Sequence, residues 1–152
     1  MKNILVIGTG FRASEDFIPV FKSMKEKISI VGVYSRKSVN VDRVAKTHNC
    51  PAVYSLDQVD WNKVDIVAMS ITPSAVPSVL KSILQFGVRP ILLIDTPVIN
   101  RINFRAIKDL GKFRRVYVAE DYMMAPQFEV MRELVVKGYI GALRSVQVVN
   151  SG

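Results

Sequence analysis

Cysteine is nearly absent: Cys50 is the one thiol in 152 residues, so the chain can form no intrachain disulfide and has no second sulfur for a zinc site. It reads as an inert, buried or half-buried side chain. Long apolar runs are missing too, none approaching the ~18–20 residues that cross a bilayer. The N-terminus lacks the extended apolar region and small-residue cleavage site of a signal peptide. The expected location is therefore the cytoplasm, with no membrane contact. Histidine occurs once, and His48 falls at the end of a helical segment in sequence far from any glycine-rich turn, where a packing or surface role is expected. Acid is in short supply, with 13 carboxylates against 21 Lys and Arg and a net charge of +8. A basic surface can serve nucleic acid, a membrane or an anionic small molecule. Lys22, Lys25, Lys27, Arg43, Lys46, Arg114 and Arg115 are scattered instead of forming one stripe interleaved with aromatics. Nucleic acid is therefore not the expected partner, and a phosphate-bearing cofactor fits the charge better.

What is present is an ordinary globular balance, 49% apolar and 22% charged, in a chain long enough for one well-packed domain. Its organising stretch is Ile4-Leu5-Val6-Ile7-Gly8-Thr9-Gly10-Phe11-Arg12-Ala13. Four apolar residues run into G-x-G-x-x-A, and the spacing behind them turns helical. Gly8 allows a sharp turn, Gly10 leaves room for a pyrophosphate, and Ala13 lets helix and strand pack closely. Phosphates would then rest on free backbone N–H groups at the positive end of a helix. Glycines in such a turn can also be purely structural, and it is the preceding buried-type strand that strengthens the functional reading.

Helical spacing continues through Phe17, Ile18, Val20, Phe21 and Met24 to about Lys27, with Pro19 expected to kink it. Strands are predicted at Ile28–Tyr34, Ala52–Tyr54, Val64–Ile71, Pro90–Ile94, Arg115–Glu120 and Leu143–Val149. Helices are predicted around Val41, Val44, Ala45 and His48, from Val76 to a stop at Gly87, through Ala106, Ile107 and Leu110, and from Pro126 to a close at Gly138. Strict alternation, without repeats or linkers, gives an α/β fold: a Rossmann-type doubly wound parallel sheet with helices on both faces. Ligands of such sheets bind at the carboxyl ends of the strands. The glycine turn, Ser35-Arg36, Ile71-Thr72-Pro73 and Asp95-Thr96-Pro97 all lie on that edge.

The second strand ends Val33-Tyr34-Ser35-Arg36-Lys37, with no carboxylate to receive the ribose hydroxyls of NAD, FAD or S-adenosylmethionine. Ser35 can donate to a 2′-phosphate, and Arg36 offers charge and a planar fork. NADP is therefore favoured, with NAD as the second candidate. The plainer alternative is that Arg36 and Lys37 are solvated turn residues.

Gly8-Thr9-Gly10-Phe11-Arg12-Ala13 with Pro19, Ser35-Arg36, Asp65-Ile66-Val67 through Thr72-Pro73, Asp95-Thr96-Pro97, Tyr122 with Pro126, and Gly138-Tyr139-Ile140-Gly141 together resemble the dinucleotide-binding half of the glucose-fructose oxidoreductase and inositol dehydrogenase (Gfo/Idh/MocA) family. The resemblance implies cofactor contacts at Gly8, Thr9, Gly10, Phe11, Arg12, Ala13, Ser35, Arg36, Ile71, Thr72, Pro73, Asp95 and Thr96. It also implies hydride transfer to or from a small carbonyl, imine or hydroxyl substrate. Two departures bear on mechanism. The lysine of the family's E-K-P motif is Thr96 here, which can hydrogen-bond but cannot act as a general acid near neutral pH. The chain also stops where the family continues into an α+β substrate domain, so residues 1–141 are expected to form the NAD(P)-binding domain and 142–152 to start a further one. Any homo-oligomer would be expected through that further domain. No catalytic or metal-binding residue is assigned. The readings left open are the cofactor domain of an oxidoreductase, a non-catalytic dinucleotide-binding or interaction protein, and, more remotely, a basic nucleic-acid module.

Overall fold

In a computed structural model of the protein, the residues described are 1–98, 104–120, 126–142 and 144–145. Contacts divide the chain into two compact units, Met1–Ala119 and Glu120–Gly152. The first unit holds six parallel strands: β1 (Lys2–Ile7), β2 (Ile28–Tyr34), β3 (Ala52–Val53), β4 (Ile66–Met69), β5 (Ile91–Asp95) and β6 (Arg115–Ala119). Their order is β3-β2-β1-β4-β5-β6, so the chain reverses its direction of travel across the sheet between β1 and β4. In an open parallel sheet that reversal opens a crevice at the strands' carboxyl ends.

β1 shows why the sheet is covered on both faces. Successive strand side chains alternate in direction. Ile4 and Val6 pack with Ala13, Phe17, Ile18, Phe21, Val33, Val44 and Ala68, whereas Leu5 and Ile7 pack with Val67, Met69, Leu92, Ile94 and the helix residues Val76, Leu80 and Ile83. A strand buried on both faces reads as a continuous apolar run. Trp61 seals one margin, donating its indole N–H to Leu56 O at 3.0 Å and stacking on Phe86 at 5.2 Å between ring centroids.

The helix after the glycine turn differs from its sequence expectation. Arg12–Phe17 is π-helical, with Ile18 N–H reaching back to Ala13 O, and only then does α1 (Ile18–Ser23) begin, with Pro19 in its first turn. The missing N–H of Pro19 thus falls at a helix start, where no partner is required, and the chain changes helix type ahead of the proline. α2 (Ser38–His48) buries Val41, Val44 and Ala45 and ends on Asn49 at φ 44°, with Cys50 N–H bonded to Ala45 O at 3.0 Å. α3 (Val76–Gln85) presents Val76, Leu80 and Ile83 to the core and is followed by Gly87 at φ +71°. α4 (Ile107–Leu110) is one turn behind a 3-10 turn at Phe104–Ala106, and together they hold Ala106, Ile107 and Leu110 as the apolar spacing suggested.

Several strand ends fall short of the apolar runs that signalled them. β4 stops at Met69, where the Ser70 hydroxyl donates to Asp95, and β3 stops at Val53, where the Tyr54 hydroxyl donates to Asp42. β6 ends at Ala119, and β5 starts at Ile91 because Pro90 has no N–H for the ladder. In the second unit, α5 (Pro126–Val136) closes at Gly138, φ +72°, with Tyr139 N–H on Leu134 O and Gly138 N–H on Val135 O, a Schellman close. The strand expected at Leu143–Val149 lies outside the described residues except for Arg144 and Ser145, and Tyr122 lies outside them too. Among the described residues no helix is long and apolar enough to cross a membrane, and no His, Cys, Asp and Glu cluster could hold a metal ion.

Candidate functional site

The carboxyl edge of the sheet carries a cleft of about 580 Å³ between the ends of β1, β2 and β4. Gly8, Thr9 and Gly10 form its floor, Ser35, Arg36, Lys37 and Asn40 one lip, and Ser70, Ile71 and Thr72 the other. Among the described residues, no carboxylate lines it.

The two glycines of the turn have different reasons to be glycine. Gly8 sits at φ +118°, donates its N–H to Tyr34 O at 2.8 Å, and an added Cβ would lie 2.0 Å from Ser70 O. Its constraint is the fold itself. Gly10 has no such constraint, since a Cβ there would meet nothing within 4 Å. Gly10 O accepts from Ser14 N–H at 3.0 Å and so begins the helix. Backbone donors ahead of Ser14 have no helical carbonyl to bond, which leaves an electropositive turn beside open space. A pyrophosphate fits that description.

The other expected site residues fall into two groups. Ser35, Arg36, Ile71 and Thr72 line the cleft with the glycine turn. Phe11, Arg12, Ala13, Pro73, Asp95 and Thr96 do not. Ala13 is fully buried against β1, where its small side chain lets helix and strand approach, and Phe11 is 77% exposed. Pro73 opens a 3-10 turn beyond the rim. Ser35 Oγ accepts from Lys37 N–H at 3.2 Å and donates to Lys37 O at 3.3 Å, shaping the turn that presents Arg36.

Asp95 ties the edge together. Its Oδ2 accepts from Ser70 Oγ at 3.0 Å, and its Oδ1 accepts from Thr96 N–H at 2.9 Å and lies 3.5 Å from Arg12 Nε. Arg12 also pairs with Asp16 at 2.9 Å. One carboxylate therefore joins the glycine loop, the end of β4 and the end of β5. The peptide bond that follows, Thr96-Pro97, is cis.

His48 has the packing role expected of it, against a partner that the sequence does not name. Though remote from the glycine turn in sequence, its Nε2 lies 3.0 Å from Ser14 Oγ, because α2 packs beside the helix that the turn begins. Its contacts make it a brace between the two. Tyr34, Lys37, Asn40, Ser70, Ala75 and Val79 also line the cleft and were not singled out from sequence. Val79 carried a signal, its apolar helical spacing, but that signal reads as core. At the sheet's opposite edge, Cys50 has its thiol pushed up by burial, with Lys22 opposing, as suits an unreactive sulfur.

A sequence model of the Gfo/Idh/MocA oxidoreductases, described as an oxidoreductase family with an NAD-binding Rossmann fold, matches residues 2–116 of the 152. The chain belongs to this family. No curated protein sequence matches it. Solved structures share the fold of the Gfo/Idh/MocA domain: an oxidoreductase from Thermotoga maritima at 24% identity and TM-score 0.79, covering 93% of this chain and 45% of that one. The WlbA dehydrogenase from Bordetella pertussis, in complex with NADH and UDP-GlcNAcA, is 14% identical at TM-score 0.77, covering 93% and 44%. A mutant 3-ketoreductase from Actinomadura kijaniata, in complex with TDP-benzene and NADP, is 17% identical at TM-score 0.76, covering 94% and 44%. The chain thus spans less than half the length of these three proteins.

Proposed function

We propose that the chain is the NADP(H)-binding part of an oxidoreductase that moves hydride to or from a small carbonyl, imine or hydroxyl substrate. The observation that carries the cofactor choice is the lip of the cleft. Arg36 and Lys37 are exposed at the end of β2, and among the described residues Arg36 forms no hydrogen bond or ion pair and no carboxylate lines the cavity. Solved relatives occur with NADH and with NADP, so the family alone leaves that choice to these residues.

When bound, the cofactor supplies the hydride chemistry. Gly8, Thr9 and Gly10 would hold its pyrophosphate, Ser35 and Arg36 its 2′-phosphate, and Ile71 and Thr72 would flank it on the β4 side. Asp95 keeps those loops in register through Ser70 and Arg12. Thr96 can orient a substrate hydroxyl but cannot deliver a proton as an acid near neutral pH. The proton therefore comes from a water or from a residue beyond those described.

The test is parallel titration of NADPH and NADH into the protein, following nicotinamide fluorescence, with wild type and Arg36→Ala. Wild type should bind NADPH more tightly. Arg36→Ala should lose about 1.5–3 kcal/mol for NADPH, the range for a hydrogen bond to a charged group, and almost nothing for NADH. Equal losses would refute the assignment. A second reading, cofactor binding without turnover, is favoured by one feature: Ser70, Arg12 and the Thr96 N–H already engage Asp95, and Thr96 brings no charge. Hydride transfer by the protein joined to its substrate-binding part would exclude it.

A further inference from the structure

We propose that His48 is a positioning residue for the glycine turn, acting through the hydroxyl of Ser14. The inference rests on the reading above that the turn holds the cofactor's pyrophosphate. His48 lies apart from the cleft wall and reaches the turn from the last residue of α2.

Ser14 is the point at which the turn becomes a helix, because its N–H bonds Gly10 O at 3.0 Å. Its side chain is buried, and among the described residues the one partner of its hydroxyl is His48 Nε2, at 3.0 Å. The helix is unusual at this place. Arg12–Phe17 is π-helical, Ile18 N–H reaches back to Ala13 O, and Pro19 has no N–H, so neither of those residues serves Ser14 O. Wide turns of this kind occur often at functional sites. The ring of His48, by contrast, stands on a fixed base. Lys22 Nζ donates to His48 O at 2.6 Å, Val44 and Ala45 are buried, and Asn49 at φ 44° closes the helix behind it.

A buried serine hydroxyl in a helix has a second acceptor within reach, the carbonyl four residues back. For Ser14 that carbonyl is Gly10 O, which already takes the Ser14 N–H. A hydroxyl turned onto it would compete with the bond that starts the helix and would bend the backbone. The N–H groups of the turn would then lose their alignment on the two phosphates, and hydrogen bonds weaken steeply with misalignment. His48 prevents this by engaging the hydroxyl from outside the helix. The neutral ring does so with its proton on Nδ1, so that Nε2 accepts the Ser14 O–H.

The test is titration of NADPH and of NADH into the full chain, followed by nicotinamide fluorescence. The proteins are wild type, His48→Phe, His48→Leu, His48→Gln, Ser14→Ala and the combined Ser14→Ala/His48→Phe variant, each with a thermal melt alongside. His48→Phe and His48→Leu, apolar replacements of different size, should each weaken both cofactors alike, on the order of tenfold, because the pyrophosphate is common to them. His48→Gln, whose amide can still take the hydroxyl, should lie within about threefold of wild type. Ser14→Ala should cost about two- to threefold. Adding it to His48→Phe should recover affinity to that level, since no hydroxyl is left to turn onto Gly10 O. A plain brace behaves otherwise: removing either partner costs the same, and the combined variant regains nothing. That pattern would overturn the proposal, as would unaltered His48→Phe and His48→Leu variants or a loss for NADPH alone. Wild type that binds neither cofactor would bring down the cofactor reading and this inference together. A binding wild type with the bracing pattern would bring down the inference alone.

Discussion

Gly8 and Gly10 look equivalent in a glycine pattern, and only their surroundings separate them. A methyl on Gly8 would overlap Ser70 O, and the backbone there is left-handed. Gly8→Ala should therefore lower the melting temperature by several degrees, as expected for strain of about 1–3 kcal/mol. Gly10→Val should leave the melt close to wild type and abolish NADPH binding, because the side chain fills space that no protein atom uses. Thermal melts and cofactor titrations on the two variants separate these outcomes, and a Gly10→Val protein with unchanged affinity would show that the turn is only structural. Both glycines were legible from sequence, since each sits at a fixed offset from a strand end. The bonds from Ser70 to Asp95, from Arg43 to Thr9 O and between His48 and Ser14 were not, because each reaches another element, and a reach across space leaves no period in the chain.

Elements were legible where burial is two-sided. β1 shows this, its run Ile4–Ile7 being fully buried, since strands covered on both faces are continuous apolar runs bounded by polar turns, and β2 matches its predicted ends although most of it is only half-buried. Boundaries were less legible where a polar side chain at the end of a run has business elsewhere. Asp65 shows this at the start of β4: Oδ2 accepts from Asn3 N–H at 2.9 Å and Oδ1 accepts from Lys2 Nζ, so the carboxylate fastens β4 to the first residues of β1. It stands at the amino ends of the strands, the edge opposite the cleft. The Lys2 hydrogen bond, and after it the Asn3 N–H, hold the Asp65 carboxyl below the usual carboxylate range. A depressed folded-state pKa contributes stability above the unfolded value, near pH 4, which is lost as pH falls through the folded value. Asp65→Asn should melt below wild type at pH 7, and the gap should narrow as pH drops from about 4 toward 2. A gap that stayed constant over that range would show that charge plays no part in the fastening.

At the scale of the whole molecule, the charge of +8 offers a rival explanation for any preference for NADPH. A basic protein attracts the more anionic of two ligands whether or not a side chain touches the extra phosphate. The two causes respond differently to salt and to position. Long-range attraction is screened beyond about 10 Å at 0.1 M salt and about 3 Å at 1 M, whereas hydrogen-bonded contacts in a cleft are screened much less. Lys25 provides the positional control, because it lies in the turn before β2 at the amino edge, on a separate cavity with Lys22 and Cys50. Lys25→Ala and Arg36→Ala remove the same unit of charge. If the cleft reads the phosphate, Arg36→Ala alone should lower the ratio of NADPH to NADH affinity, and the wild-type ratio should shrink from 0.1 M to 1 M salt, figures chosen for those screening lengths, yet stay above one. If the preference comes from net charge, both variants should lower it equally, and high salt should remove it.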